Sequence, residues 1–273
     1  MPPEQSGNAA PLDTSPPRGG QFSVTRAARA VAPPAGVHAA KASSAAGTLA
    51  ALNDGKGRVT LERDGVVAGL PSLTPGLQRA VGLALRTQQA PTPALLRDLT
   101  GTAATLLGRA EAEDTFAVTA PVGTVVRSTR PTFDWHPLNG ASSYIVTVLD
   151  ADFNPVATSP RLTATSWTVP EPLRRGVVYR WQVTALKNGE RVISPSALAP
   201  EARFKVLDDA ATNELERAEQ TCLGSHLACG VLYSGAGLLD DAEREFKALL
   251  DANPHSALAQ ELLSSVRKPR RPR

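Results

Sequence analysis

The chain is poor in the residues that do chemistry. It has two cysteines, Cys222 and Cys229, and four histidines scattered along 273 residues. Paired acid–base or metal chemistry needs convergent groups, and none is set up by spacing. There is no Gly-rich phosphate loop, nucleophile elbow or HExxH motif, and Gly55-Lys56-Gly57 lacks the upstream glycine of a Walker loop. No catalytic, cofactor-binding or metal residue is therefore assigned, and the expected class is non-enzymatic. An enzyme with no recognisable motif is the remaining alternative. No run of 18 apolar residues is present, so no transmembrane helix is encoded. The N-terminus lacks the apolar stretch of a signal peptide. Cys222 and Cys229 fall on one predicted helix, where seven residues rise about 10.5 Å, too far for a mutual disulfide. On that expectation nothing argues for an oxidising compartment. As written the chain is cytoplasmic, or periplasmic if an upstream anchor precedes its first residues.

Aromatics are also scarce, with three Trp, three Tyr and six Phe. Phe133, Trp135, Tyr144, Phe153, Trp167, Tyr179, Trp181 and Phe204 all fall between residues 119 and 207. The best-packed core is expected there, because aromatic side chains bury the most area each. The formal charge of +3 comes from the C-terminus, where Arg267, Lys268, Arg270, Arg271 and Arg273 cluster; without those five the value is −2. The folded part is thus near neutral, the tail reads as a frayed solubilising end, and no nucleic acid is expected as a partner.

The predicted fold class is multidomain α+β. Residues 1–47, rich in Ala, Pro, Gly and Ser, form a leader that cannot bury enough apolar surface to order itself. Residues 48–118 read as a small α+β unit. Asp64-Gly65 is a type I′ hairpin signal between Arg58–Glu62 and Val66-Val67. Thr74-Pro75 starts a helix, and Thr92-Pro93 starts a shorter one closed by Gly101. Such a thin core is expected to lean on a neighbour or on another copy. Residues 119–207 read as about seven short strands with turn signals between them, an immunoglobulin-like sandwich. Along Val177–Leu186, Tyr179, Trp181 and Val183 alternate with Arg180, Gln182 and Thr184, giving one buried and one wet face. Trp181 is on that account core rather than a sugar-stacking platform with Trp167. Residues 208–268 read as helices and 269–273 as a basic tail.

The PTFDW, SYIVTVLD and SWTVP segments, with Leu173, Gly176, Tyr179 and Trp181 to Leu186, resemble a bacterial fibronectin type III domain over about 119–207. The resemblance implies a corner in which the Tyr179 hydroxyl ties back to nearby backbone. Gly230, Tyr233, Gly237, Ala242, Phe246 and Pro254 resemble the small, aromatic and breaker positions of a single tetratricopeptide repeat over about 223–254. Departures are His226, Cys229 and Leu249, which stand where that family has a large aromatic, a Leu and an Ala.

This second resemblance implies ligand on the inner face of the first helix, where Leu227, Val231 and Ser234 are the protein-binding candidates beside Gly224 and Gly235. The expected partner is another protein or a second copy, engaged through the C-terminal helices. The competing expectation, the favoured one, is that Leu227 and Val231 are simply core against the sandwich. Cys222, His226 and Cys229, at i, i+4 and i+7, line one helix face that would suit zinc. Cys229 sits at a packing position, however, and buried cysteine behaves as a small hydrophobe. The functional expectation is a scaffold presenting a helical hairpin on a β-sandwich. The alternative is the extracytoplasmic segment of a bacterial membrane-anchored signalling or envelope protein.

Overall fold

The computed structural model describes residues 47–55, 57–100, 116–197 and 199–267. The leader through residue 46, the Gly101 stop signal and the tail beyond Arg267 lie outside the described residues. The chain is mixed α+β, with three sheets and six helices among those residues.

A three-stranded antiparallel sheet comes first, from β1 (Thr48–Asp54), β2 (Gly57–Glu62) and β3 (Val67–Ala68). Asp64-Gly65 makes the β2–β3 turn, with Gly65 at φ 85° and the Asp64 carboxylate accepting from the Val66 N–H. Then α1 (Pro75–Thr87) begins where Thr74 accepts from the Leu77 N–H, and α2 (Leu95–Thr100) follows.

The aromatic segment folds into two further sheets. β4 (Val118–Ala120), β6 (Thr132–Trp135) and β9 (Ser166–Thr168) form one, in the order β4-β6-β9. The other runs β5-β12-β10-β7-β8, with β11 also pairing β10: β5 (Thr124–Val126), β7 (Ala141–Leu149), β8 (Pro155–Thr158), β10 (Val178–Lys187), β11 (Glu190–Ser194) and β12 (Ala202–Val206). β5 and β12 are parallel; the other pairs are antiparallel. The two sheets close on a common core in which the Phe133 ring packs on Trp181 and Phe204. β10 alternates as expected, with Tyr179, Trp181, Val183 and Ala185 buried. The Trp181 indole N–H donates to the Pro121 carbonyl at 2.8 Å, which makes it a satisfied core residue. The Tyr179 hydroxyl accepts from the Arg174 N–H at 2.9 Å, the tie expected of this corner. The strands β4 and β8, of three and four residues, are too short to show a period to a sequence-pattern reading.

Four helices end the described chain: α3 (Asp209–Cys222), α4 (His226–Ala236), α5 (Leu239–Asp251) and α6 (Ala257–Arg267). Gly237 at φ 80° terminates α4 in the left-handed conformation that glycine takes without penalty. α4 and α5 cross closely at Gly230, where an added Cβ would stand 2.6 Å from the Phe246 ring.

One expectation fails here. Cys222 and Cys229 are not on one helix: Gly224, at φ 87°, turns the chain between α3 and α4. The corner brings the two Cα atoms to 5.3 Å, and the cysteines form a disulfide. The 10.5 Å estimate assumed an unbroken helix.

The cores show how the parts are joined. Leu52, Val59, Leu77, Val81, Leu96 and Leu99 from the first unit share one continuous core with Leu215, Leu227, Val231, Phe246 and Leu262 from the last helices. The residues of the two later sheets form a second core between them. The sandwich is thus inserted in sequence between two segments that complete each other. Each is too thin to bury its own apolar face, and each supplies the neighbour that the other lacks.

Candidate interaction site

Leu227, Val231 and Ser234 lie on one face of α4, as their i, i+4, i+7 spacing requires. All three are buried within this chain. α1 packs on α4, and the Ser234 hydroxyl donates to the Pro91 carbonyl at 2.6 Å. The face expected to receive a partner is occupied by the protein's own first unit, so Leu227 and Ser234 are not free surface in this arrangement. Val231 is different in one respect, because it also lines a cleft.

That cleft, of about 440 Å³, lies between α1 and α3 with α4 as its floor. Leu77 and Ala80 form one wall, Ala211 and Leu215 the other, and Val231 and Gly235 the base. Glu214 is the sole ionisable side chain among its lining residues. Such a surface offers shape and apolar area, with little to polarise or protonate a substrate.

Beside it, the β1–β2 tip docks on the α3–α4 corner. Asp54 is 4% exposed. One of its oxygens accepts from the Ser225 hydroxyl at 2.5 Å and the other from the Leu227 N–H at 2.9 Å. Ser225 itself caps Ala228. Asp54 is thus a second N-cap of α4 supplied from 173 residues away, satisfying an N–H that the helix cannot pair internally. Next to it, the Asn53 N–H donates to the Asn253 side-chain oxygen at 2.8 Å, and the Asn253 amide donates back to the Asn53 carbonyl at 2.7 Å.

The sandwich is fastened to the same helices. The β5 edge is covered by the α4–α5 turn: the Val125 N–H donates to the Gly237 carbonyl at 2.9 Å, and the Thr124 hydroxyl accepts from the Leu239 N–H at 3.0 Å. Covering an edge strand removes an aggregation-prone template. Arg127 then reaches three helices. Its Nη1 lies 2.8 Å from Glu219, in charge contact but off the hydrogen-bonding direction. Its Nε lies 3.5 Å from Asp241, and the guanidinium sits 5.1 Å over the Tyr233 ring. Burial alone would lower the Arg127 pKa; the Asp241 and Glu219 carboxylates more than offset it and raise it. Arg175 donates to the carbonyls of Arg127 and Leu207 and to the Thr212 hydroxyl, locking the entry into α3.

The zinc-like arrangement of Cys222, His226 and Cys229 does not exist. The disulfide removes both thiolates, and the His226 imidazole pairs with Glu245 at 2.8 Å. No group of three or more metal-ligating side chains occurs among the described residues. No helix of the described residues is long and apolar enough to cross a membrane. Sequence reading missed Asp54, Asn253 and Arg127, whose partners lie far along the chain. The signals available were weak: Asn53-Asp54-Gly55 is a turn sequence, and Asn253 precedes a helix-stopping proline.

No family model matches the chain, and no curated protein matches it. Among solved structures, it is similar to an Fn3-like protein from Clostridium thermocellum, at 21% identity and a TM-score of 0.25, covering 34% of this chain and 88% of the other.

Proposed function

We propose that this chain is a non-enzymatic protein-interaction and scaffold component, in which a fibronectin type III-like sandwich holds a tetratricopeptide-like hairpin in a fixed pose. One observation carries the reading: the cleft between α1, α3 and α4 is apolar, formed by rigid helices, and bears a single carboxylate, Glu214, on its lining. Grooves of this kind receive an amphipathic helix through its apolar face. The covered inner face moves the binding surface from Leu227 and Ser234 to the cleft, with Val231 in common. The partner is another protein or a second copy, docking a helix between α1 and α3.

A photo-crosslinking residue at Glu214, on the exposed side of the cleft, tests this in the native cell. The expected result is a discrete protein adduct, either a dimer of this chain or one heterologous species. The same probe at Arg191, on the sandwich, should not give that adduct. Equal adducts at both sites, or none at Glu214, overturn the reading.

A second reading concerns place rather than partner: an extracytoplasmic segment of a bacterial envelope or signalling protein. The Cys222–Cys229 disulfide favours it, because such bonds persist in oxidising compartments and are rare in the cytosol. Alkylation of intact cells, followed by mass mapping of residues 222 and 229, is the test. Free thiols at both positions in freshly quenched cells would count against it.

A further inference from the structure

The corner that receives Asp54 and Gly55 of the β1–β2 tip lies inside the loop closed by the disulfide. Asp54 touches Ser225 and Leu227. Gly55 lies against Gly224 so closely that it has no room for a Cβ. All three contacted residues fall between Cys222 and Cys229. A capping carboxylate needs the hydroxyl and the N–H presented together, at fixed spacing. The bridge ties the end of α3 to the first turn of α4 and limits the shapes open to this corner, whose other local constraints are Gly224 at positive φ and the Ser225 N–H bond to the Cys222 carbonyl at 3.0 Å. Away from the corner, the tip is held by the Asn53–Asn253 pair and by Leu52 in the shared core.

We propose that the Cys222–Cys229 disulfide is a redox-sensitive latch that holds the docking socket for the β1–β2 tip, so that its reduction loosens residues 48–62 from the helices. The reductant is a dithiol. Its thiolate attacks one sulfur of the bridge, and the other sulfur leaves as a thiolate and is protonated. The second thiol of the reductant then resolves the mixed disulfide. The chain gains two electrons and two protons as two thiols, and the reductant leaves oxidised as its own disulfide. Cys222 is fully buried and Cys229 is 7% exposed, so attack comes through Cys229 when the corner opens. The latch acts on the contact between the two halves of the first core, whatever the cleft binds.

Hydrogen exchange on the full chain reads this out. In the oxidised protein, the hydrogen-bonded amides of β1 and β2 and that of Leu227 should be protected. With dithiothreitol they should exchange at least tenfold faster, while those of 178–187 in β10 stay unchanged, and reoxidation should restore protection. The Cys222→Ser/Cys229→Ser chain should match the reduced protein with or without reductant. Ser225→Ala, which keeps the bridge but removes one Asp54 partner, should loosen 48–62 without any reductant. The latch is overturned if faster exchange stays within 222–229, if it spreads equally into β10, or if 48–62 keeps wild-type protection in Ser225→Ala. It is equally overturned if both thiols stay free in protein held in an oxidising disulfide buffer.

Discussion

Gly55 and Gly224 meet backbone to backbone: a Cβ on Gly55 would overlap the Gly224 carbonyl oxygen, and Gly55 itself sits at φ 53°. Both facts forbid a side chain. Gly55→Ala should cost roughly 2–5 kcal/mol, from overlap with an unyielding backbone and from the left-handed conformation together. Gly57, two residues on, has open space around its missing Cβ, so Gly57→Ala should stay within about 0.5 kcal/mol of wild type. Urea midpoints of the two variants make the comparison; equal values would mean that the tip is not docked as described.

What the sequence showed was local chemistry. Asp64-Gly65 turns because glycine accepts positive φ, and Thr74-Pro75 starts α1 because a hydroxyl and a ring fit the first turn. Gly230 and Phe246 point to a close helix crossing through their resemblance to the small and aromatic positions of a tetratricopeptide repeat, and they do meet. The shared core of Leu52 and Leu77 with Leu227 and Val231 was not legible, because those pairings span more than 140 residues and leave no period in the chain. The disulfide is an intermediate case. Leu223-Gly224-Ser225 contains a helix-ending glycine and an N-capping serine. Those two residues suffice to break the helix and to bring Cys222 and Cys229 together. The candidate site divides the same way: its α4 residues were expected from the tetratricopeptide resemblance, of which only Val231 lines the cleft, whereas Asp54 and Arg127 reach the helices from distant segments.

Asp208 offers a pH-dependent check on the junction between sandwich and helices. Its carboxylate caps α3, accepting from the Ala211 N–H at 2.8 Å. That backbone bond, with help from Lys205, holds its pKa below the ordinary value of 3.8. A carboxylate with a depressed folded pKa adds stability above its unfolded value and loses it as pH falls through the folded one. Asp208→Ala should therefore cost about 0.5–2 kcal/mol at pH 7. The gap to wild type should narrow as pH drops below 3.8, as denaturant titrations at pH 7 and pH 3 would show. A gap unchanged between the two would assign the capping to geometry without charge.

Arg127 meets α3, α4 and α5 at once through Glu219, Tyr233 and Asp241. The Glu219 and Asp241 side chains are only 18% and 14% exposed; Asp241 keeps its pairing with Arg244, so removing the guanidinium chiefly leaves the Glu219 carboxylate without a cation in a poorly solvated place. Arg127→Ala should cost about 1–4 kcal/mol, between the limits for exposed and buried pairs. Adding Glu219→Gln should recover part of the loss, giving a coupling of at least about 0.5 kcal/mol in a double-mutant cycle. Arg127→Lys should not substitute, because an ammonium is a point charge without the planar fork that faces two carboxylates and a ring. The Tyr233 phenol supplies an independent readout. Burial, then its hydrogen bond to Glu219, push its pKa above 10.0, while Arg127 pulls it down. In Arg127→Ala the Tyr233 titration should consequently move further up, seen as a later tyrosinate absorbance. A titration that stays put, together with a cycle that sums to zero, would leave the hydrogen bonds of β5 to the α4–α5 turn as the fastening that fixes the pose.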